Sequence, residues 1–304
     1  MKINSTDSIL PSTFKAIRFK ENPIIRPGMP GLEGEDGANI NGPSLIRVPD
    51  WVEKPFGKYY LYFAHHNGKY IRLAYADSLA GPWAIYKGGV LSVNDMKSHV
   101  ASPDVHVDME KKEIRMYFHR PGVVKGFQES FVALSKNGLD FTERPEVLGS
   151  FYFRVFKYGD WYYAFAKNVN IDGTIYRSKD GLSKFEKGPS YLPGVRHTAL
   201  WVEGDTLNLA YTIVGEKNTP ERIYLSKIDL KQDWLQWKPS SPQLLLEPAE
   251  KYEGAHKPFM PSDYGKINGT VRQLRDPAIF EEDGRRYLLY SVAGESGIGI
   301  AELK

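Results

Sequence analysis

The chain has 304 residues and a formal charge of +3, from 40 Lys and Arg against 37 Asp and Glu, with 19 Tyr, 15 Phe and no Cys. That length makes one large domain or two small ones, able to bury roughly three quarters of the unfolded surface without a staple, and the absence of Cys excludes disulfide scaffolds, thiolate metal centres and cysteine nucleophiles. So balanced a charge excludes the basic stripe of a nucleic-acid binder, and no window approaches the roughly 18 apolar residues of a membrane span. Met1 to Phe14 holds no apolar leader segment, so a cytoplasmic location is expected.

In chain order, short runs rich in Tyr, Phe, Val and Ile alternate with Gly- or Asp-bearing turns, the pattern of antiparallel hairpins. Ser44 to Val48, Lys58 to Ala64 and Tyr70 to Ala76 make a first three-strand meander. The unit returns as Pro103 to Val107, Glu113 to Phe118 and Ser130 to Ser135, then as Arg154 to Tyr158, Trp161 to Ala166 and Thr174 to Ser178. A fourth runs through Thr198 to Val202, Leu207 to Ile213 and Arg222 to Ile228, and a fifth through Pro277 to Glu281, Arg286 to Ser291 and Gly297 to Glu302. After the third strand comes a turn and then an aromatic, as in Gly81-Pro82-Trp83, Asn137-Gly138-Leu139-Asp140-Phe141 and Asp180-Gly181 with Phe185, leading to a fourth, outer strand. Four strands per unit in five repeats predict an all-β, five-bladed β-propeller with four-stranded antiparallel blades around a central channel. The expected blades are 41–95, 96–148, 149–192, 193–246 and 270–304 of a single domain, with residues 1–40 packing on the ring or closing it by pairing with the last blade. Tyr pairs such as Tyr59-Tyr60 and Tyr162-Tyr163 are expected to pack between blades.

First strands line the channel of a propeller, so residues before them converge. They include Asn41, His99, Ser102-Pro103-Asp104, Phe151 to Arg154, Arg196-His197 and Arg275-Asp276-Pro277. Arg275-Asp276-Pro277-Ala278-Ile279-Phe280 followed by a turn and a Tyr-rich strand resembles the Asp-Pro segment of the five-bladed glycoside hydrolases of families 43, 32 and 117. Ser102-Pro103-Asp104-Val105 is similar to the Ala-Pro-Asp-Val of the second blade in family 43, and Glu253-Gly254 to the pair that carries its general acid. The resemblance covers the chain from about Gly42 onward. It departs at the first blade, where family 43 places its base as Asp-Pro and this chain reads Asn41-Gly42-Pro43-Ser44.

The resemblance implies a glycosidase that cleaves a terminal sugar from a small carbohydrate, with Asp104, Glu253 and Asp276 as the carboxylates. Glycoside cleavage needs one carboxyl to protonate the leaving oxygen and another as base or nucleophile, and a third raises the pKa of the acid. His66 and His119 close second strands, His99 and His197 precede first strands, and His256 stands beside Glu253. These groups can bind sugar hydroxyls or a divalent metal, or satisfy backbone in strand-end turns; His66 and His197 are the candidates for the acid role that a His plays in family 117. No cofactor is expected to be required, and no helical His-Glu spacing supports a metal. Arg154, Arg196 and Arg275 either hold the acids in ion pairs or clamp an anionic group such as a uronate. The stretch from Pro239 to Gln273 is expected to form part of the site, and Trp51, Phe127 and Tyr264 to offer stacking surfaces. Two other readings stand: a lyase or non-glycosidic hydrolase using the His and Arg groups, and a sugar-binding propeller without catalysis. In each, no nucleic acid or membrane is a partner, and the oligomeric state is not set by the sequence.

Overall fold

Near-continuous aromatic and apolar runs make strands that bury both faces, as in Tyr59–Ala64, which is buried at every position. The computed structural model describes residues 10–92, 99–122 and 126–304. These form five antiparallel sheets set as the blades of a propeller, and helix among them is confined to one turn at Gly34–Gly37 and two short 3-10 turns. Among the described residues no helix is long and apolar enough to cross a membrane.

From the axis outward the first blade runs Asn41–Arg47, Tyr59–Ala64, Tyr70–Ala76 and Ala84–Ser92. The second has Ala101–Asp108, Glu113–Pro121 and Gln128–Ser135, with Thr142–Glu143 and Gly149–Ser150 both paired on the last of these. Arg154–Tyr158, Trp161–Asn168, Asp172–Ser178 and Glu186–Tyr191 make the third. Val195–Glu203, Thr206–Ile213, Ile223–Asp229 and Gln243–Leu246 make the fourth. The fifth consists of Arg275–Glu282, Arg285–Ser291 and Ile298–Leu303, and takes its outer strand from the other end of the chain: Ala16–Arg18 pairs antiparallel with Ile298–Leu303, Ala16 opposite Leu303. That pairing covers an edge that would otherwise expose unpaired backbone groups. The boundary expected between residues 95 and 96, and residues 1–9, lie outside the described residues.

Apolar burial is concentrated between adjacent blades. Tyr60, Tyr62 and Ile71 of the first blade pack with Ile114, Met116 and Phe118 of the second, and corresponding clusters fill the other four junctions. Rings serve here because each removes about 150–250 Å² from water and offers a flat face to a flat sheet. The closing turns add a polar latch. Asn137 Oδ1 accepts from the backbone N–H groups of Leu139 and Asp140, which exposes the Gly138 carbonyl to the Tyr62 hydroxyl of the preceding blade at 2.9 Å. Tyr117 makes the same bond to Gly181 at 2.8 Å. Gly138 has φ +75°, and a Cβ there would lie 2.7 Å from Tyr62 Oη, so glycine alone suits the turn.

One irregularity aims the channel residues. The pairing of first and second strands skips between Asn41 and Ser44, Ala101 and Asp104, Val195 and Thr198, and Arg275 and Ala278. These are β-bulges, which turn a side chain out of the ladder. Gly42, Ser102, Tyr152 and Asp276, one at each of four strand starts, have φ of 60°, 54°, 72° and 46°. Eight other described non-glycine residues share the left-handed conformation, and at Ser102, Tyr152 and Asp276 it falls on residues that line one cavity.

Candidate functional site

All five blades contribute to one cavity of about 120 Å³ at the mouth of the channel. Strand starts supply Asn41, Ser102, Phe151, Tyr152, Arg196, His197 and Asp276. A second tier comes from the ends of second strands: His66, His119, Lys167 and Glu295. The register explains why His119 and Lys167 belong together, since each stands two residues beyond the partner of a position two residues past the strand-start kink. Those partners are Tyr117, opposite Asp104, and Phe165, opposite Arg154. His99, Gln128, Asn170 and Gly265 complete the wall.

Asp276 is the most elaborated group. Its Oδ1 accepts from the Tyr152 hydroxyl at 2.5 Å and lies 3.1 Å from His197 Nε2, while Oδ2 accepts from Ser291 Oγ at 3.0 Å. His197 Nδ1 accepts from the Asp276 backbone N–H at 3.1 Å, so the ring's proton must sit on Nε2 and donate to Oδ1. Burial holds His197 well below the usual histidine range, aided by the positive charges of Arg196 and Lys167, and the ring is a neutral donor of fixed tautomer. Burial, with the nearby charge of Glu295, raises the Asp276 carboxyl above the ordinary aspartate value. The Tyr152 and Ser291 hydroxyls and the charge of Arg196 pull the carboxyl the other way without cancelling the rise.

Glu295 behaves oppositely. Burial pushes its carboxyl up, but His66, Arg275 and Asn39 outweigh burial and bring it down to about 2. Arg275 Nη1 donates to Oε1 at 2.8 Å and Asn39 Nδ2 to Oε2 at 2.5 Å. Asn39 is locked in that orientation because its Oδ1 accepts from the His66 backbone N–H and from Asn41 Nδ2. Two carboxyls thus line one cavity in unlike environments, one pushed up and one held down. Lys167 is 7% exposed, and burial together with the charge of Arg196 lowers its ammonium to about 7. Burial lowers His99, and His119 far more.

Three residues expected at the channel mouth lie elsewhere. Asp104 sits two residues past the kink, in the register position of Ser44, and both do the same work: Ser44 Oγ accepts from the Val105 N–H and Asp104 Oδ2 from the Val155 N–H, each at 2.8 Å. Each ties one inner strand to the next blade; Asp104 also accepts from His106 Nε2 at 2.8 Å. Burial pushes the Asp104 carboxyl up, yet His106, Arg154 and the Val155 N–H together hold it below the usual value. Glu253 is fully buried beside the N-terminal strand, accepting from Arg18 Nε at 2.7 Å, Arg18 Nη2 at 3.0 Å, Tyr290 Oη at 2.9 Å and two backbone N–H groups. His256 lines a separate surface groove with Pro23, Arg26 and Tyr252.

The arginines divide likewise. Arg196 reaches the cavity, donating to the carbonyls of Asp263 and Gly265. Arg275 stands behind it, facing Glu295 and Glu221, the latter at 3.2 Å. Arg154 bonds the carbonyls of Pro103 and Thr198, joining strands across two blade junctions, with Asp104 Oδ1 3.7 Å away. From the long connection, Gly265 enters the wall and the Tyr264 ring lies 5.2 Å from Lys167 Nζ, whereas Trp51 is held away at the Lys136 carbonyl. Sequence reading missed Tyr152, Lys167 and Glu295. Tyr152 stands in the Phe151-to-Arg154 segment, and Lys167 follows an aromatic second strand at the offset that drew attention to His119. Among the described residues no group of three or more His, Asp and Glu is arranged to hold a metal ion.

No family model matches the chain. Over 325 aligned positions it is 36% identical to the uncharacterized protein R118 of Acanthamoeba polyphaga mimivirus, an alignment covering 94% of this chain and 90% of that protein. Among solved structures, a glycosyl hydrolase from Bacteroides ovatus superposes with a TM-score of 0.68 at 14% identity, covering 94% of this chain and 92% of that one. An alpha-L-arabinofuranosidase from Lactobacillus brevis gives 0.61 at 14% identity over 92% of each chain. The GH43_1 enzyme from Xanthomonas citri complexed with xylose gives 0.60 at 13% identity over 88% and 87%. The fold is that of the five-bladed β-propeller glycoside hydrolases.

Proposed function

This chain belongs to one family with the mimivirus protein R118, and from that premise and the chemistry of the channel we propose that it is a glycosidase acting on a terminal sugar. The observation that carries the proposal is the placing of two carboxyls, Asp276 and Glu295, on one cavity wall, Asp276 raised by burial and by Glu295 and Glu295 lowered by His66, Arg275 and Asn39. In this reading the Asp276 carboxyl protonates the leaving oxygen, while Tyr152 and His197 steady Oδ1 as the charge develops. Glu295 is the anion of the pair, acting on the other side of the reaction as base or as a stabiliser of the cationic sugar ring. His66, His99, His119, Asn41 and Gln128 are the hydroxyl-binding wall.

Terminal action follows from size. The cavity is small against the roughly 300–1,000 Å³ of ordinary ligand clefts, so it takes the end of a glycoside and not a chain passing through. Gln128, Phe151 and Asn170 also border a neighbouring groove of about 450 Å³ that includes Phe127, Val147 and Val169, and in this reading that groove takes the leaving group. The propeller fold of glycoside hydrolases supports the same reading.

The test is the leaving-group dependence of Asp276→Asn and Glu295→Gln. Loss of a general acid is felt where the leaving group needs a proton, so Asp276→Asn should lower kcat on alkyl glycosides by about 10²–10⁴ and largely spare dinitrophenyl glycosides. Glu295→Gln should impair both. Equal loss on both substrates in Asp276→Asn, or full activity in either variant, would overturn the assignment; sugar binding without turnover on any glycoside would favour a lectin-like propeller.

A further inference from the structure

Among the described residues, Lys167 is the charged group of the cavity wall with no hydrogen-bonded or ion-paired partner; two aromatic rings lie against it, and Glu221 and Asp276 act on it only from longer range. Arg196 is spent on two carbonyls and lies 3.5 Å from Glu221; Glu221 is shared with Arg275; Glu295 is held by Arg275 and Asn39; Asp276 accepts from Tyr152 and Ser291 and lies within hydrogen-bond distance of His197 Nε2. Lys167 lines the same cavity, and its Nζ stands between the rings of Phe151 and Tyr264, 5.1 and 5.2 Å from their centroids. Among the described residues no carboxylate or carbonyl accepts a bond from that ammonium, and Nδ1 of its register counterpart His119 is likewise buried without a partner. An ammonium buried to this extent without an anionic partner is costly to keep charged, which is why burial lowers it, and a ligand anion beside it would restore the charge.

We propose that Lys167 receives a carboxylate carried by the terminal sugar, so that the substrate is a glycoside of the uronate class. This deepens the glycosidase reading and rests on it. A single free ammonium matches a singly charged carboxylate; a phosphate, nearer two charges at neutral pH, would need a second free cation, and Arg196 is already engaged. The charged and titratable groups facing Lys167 are Arg196, Glu221, Asp276, His119, His197 and Tyr264. Since Lys167 protonates at about 7 in the empty site, a bound carboxylate raises that value and binding takes up a proton above it.

The experiment is calorimetric titration of the full chain between pH 6 and 9 with the methyl glycosides of glucuronic and galacturonic acids, their neutral hexose counterparts, and inorganic phosphate. A uronate is expected to bind about tenfold or more tighter than its neutral counterpart at pH 6, weakening by up to about tenfold per pH unit above 7, with proton uptake at pH 8. Lys167→Met should abolish the preference. Lys167→Arg should keep it and lose the pH dependence, because a guanidinium stays charged throughout, and this variant decides the matter if Lys167→Met does not fold. Equal binding of neutral and acidic sugars, a preference that survives Lys167→Met, or phosphate as the tighter occupant would each overturn the proposal. Uronate binding without turnover of nitrophenyl uronides would leave Lys167 its role and remove the glycosidase reading; turnover of neutral glycosides with no uronate preference would do the reverse.

Discussion

Glu253 offers the sharpest separation between a structural and a catalytic carboxylate. Replacing it with Gln keeps the shape but puts an NH₂ among five donors: two nitrogens of Arg18, the Tyr290 hydroxyl and the N–H groups of Ala249 and Glu250. One oxygen cannot satisfy them all, and the Arg18 guanidinium loses its counter-charge. A bond to a charged group contributes about 1.5–3 kcal/mol, and removing one member of a buried ion pair costs about 3–5 kcal/mol. Arg18 is partly exposed, at 22% of its side chain, so water recovers some of the loss and the lower part of that range applies, about 3 kcal/mol. For a chain of this size that is a fall in Tm of roughly 5 °C. The affected strand, Ala16–Arg18, closes the fifth blade, whereas the cavity draws nothing from Glu253. Differential scanning fluorimetry with kcat measured at 25 °C should therefore show a lowered Tm and near-normal turnover. An unchanged Tm with turnover reduced a hundredfold would refute the structural reading and return Glu253 to the acid role implied by its Glu-Gly pair.

Two further outcomes test the site and its frame. Asp104→Ser copies the latch that Ser44 provides one blade earlier; it should cost about 1–2 kcal/mol in urea unfolding, through loss of the His106 bond, and leave kcat within a factor of two, so a collapse of kcat with the latch intact would contradict the register argument. Glu295 has a folded-state value depressed from 4.5 to about 2, which contributes stability fully present above the unfolded value and lost as pH falls toward 2. Comparing wild type with Glu295→Gln by thermal melts from pH 3 to pH 7, the gap should be about 3 kcal/mol above pH 5 and narrow steadily below 4.5, and a gap that does not change with pH would show that the Glu295 charge is not what Arg275 and Asn39 hold.

Much of this protein is legible from residue order because a propeller is built from local repeats. Strand pairing along each blade joins neighbours in sequence, so period-two runs with Gly and Asn turns declare the blades. Tyr62 with Gly138 and Tyr117 with Gly181 hold matching register positions in their blades because the two junctions solve the same packing problem. Asp276, His197 and Asn41 were within reach for the same reason, standing where a channel-lining strand must begin.

Asp104 and Glu253 were not, because short motifs carry no register. A bulge one residue long separates the kinked position, which faces the cavity, from the one two residues on, which faces the next blade; Ser102 and Asp104 fall on opposite sides of that divide. Lys167 and Glu295 belong to a second ring whose membership is set by where each second strand ends. Residue order by itself determined five aromatic-rich antiparallel blades and a polar channel, since those follow from local periodicity and burial. Only the tertiary structure decided which carboxyl is raised, which is lowered and which ammonium has no ion-pair partner among the described residues, because those properties arise from groups scores of residues apart meeting in one buried place.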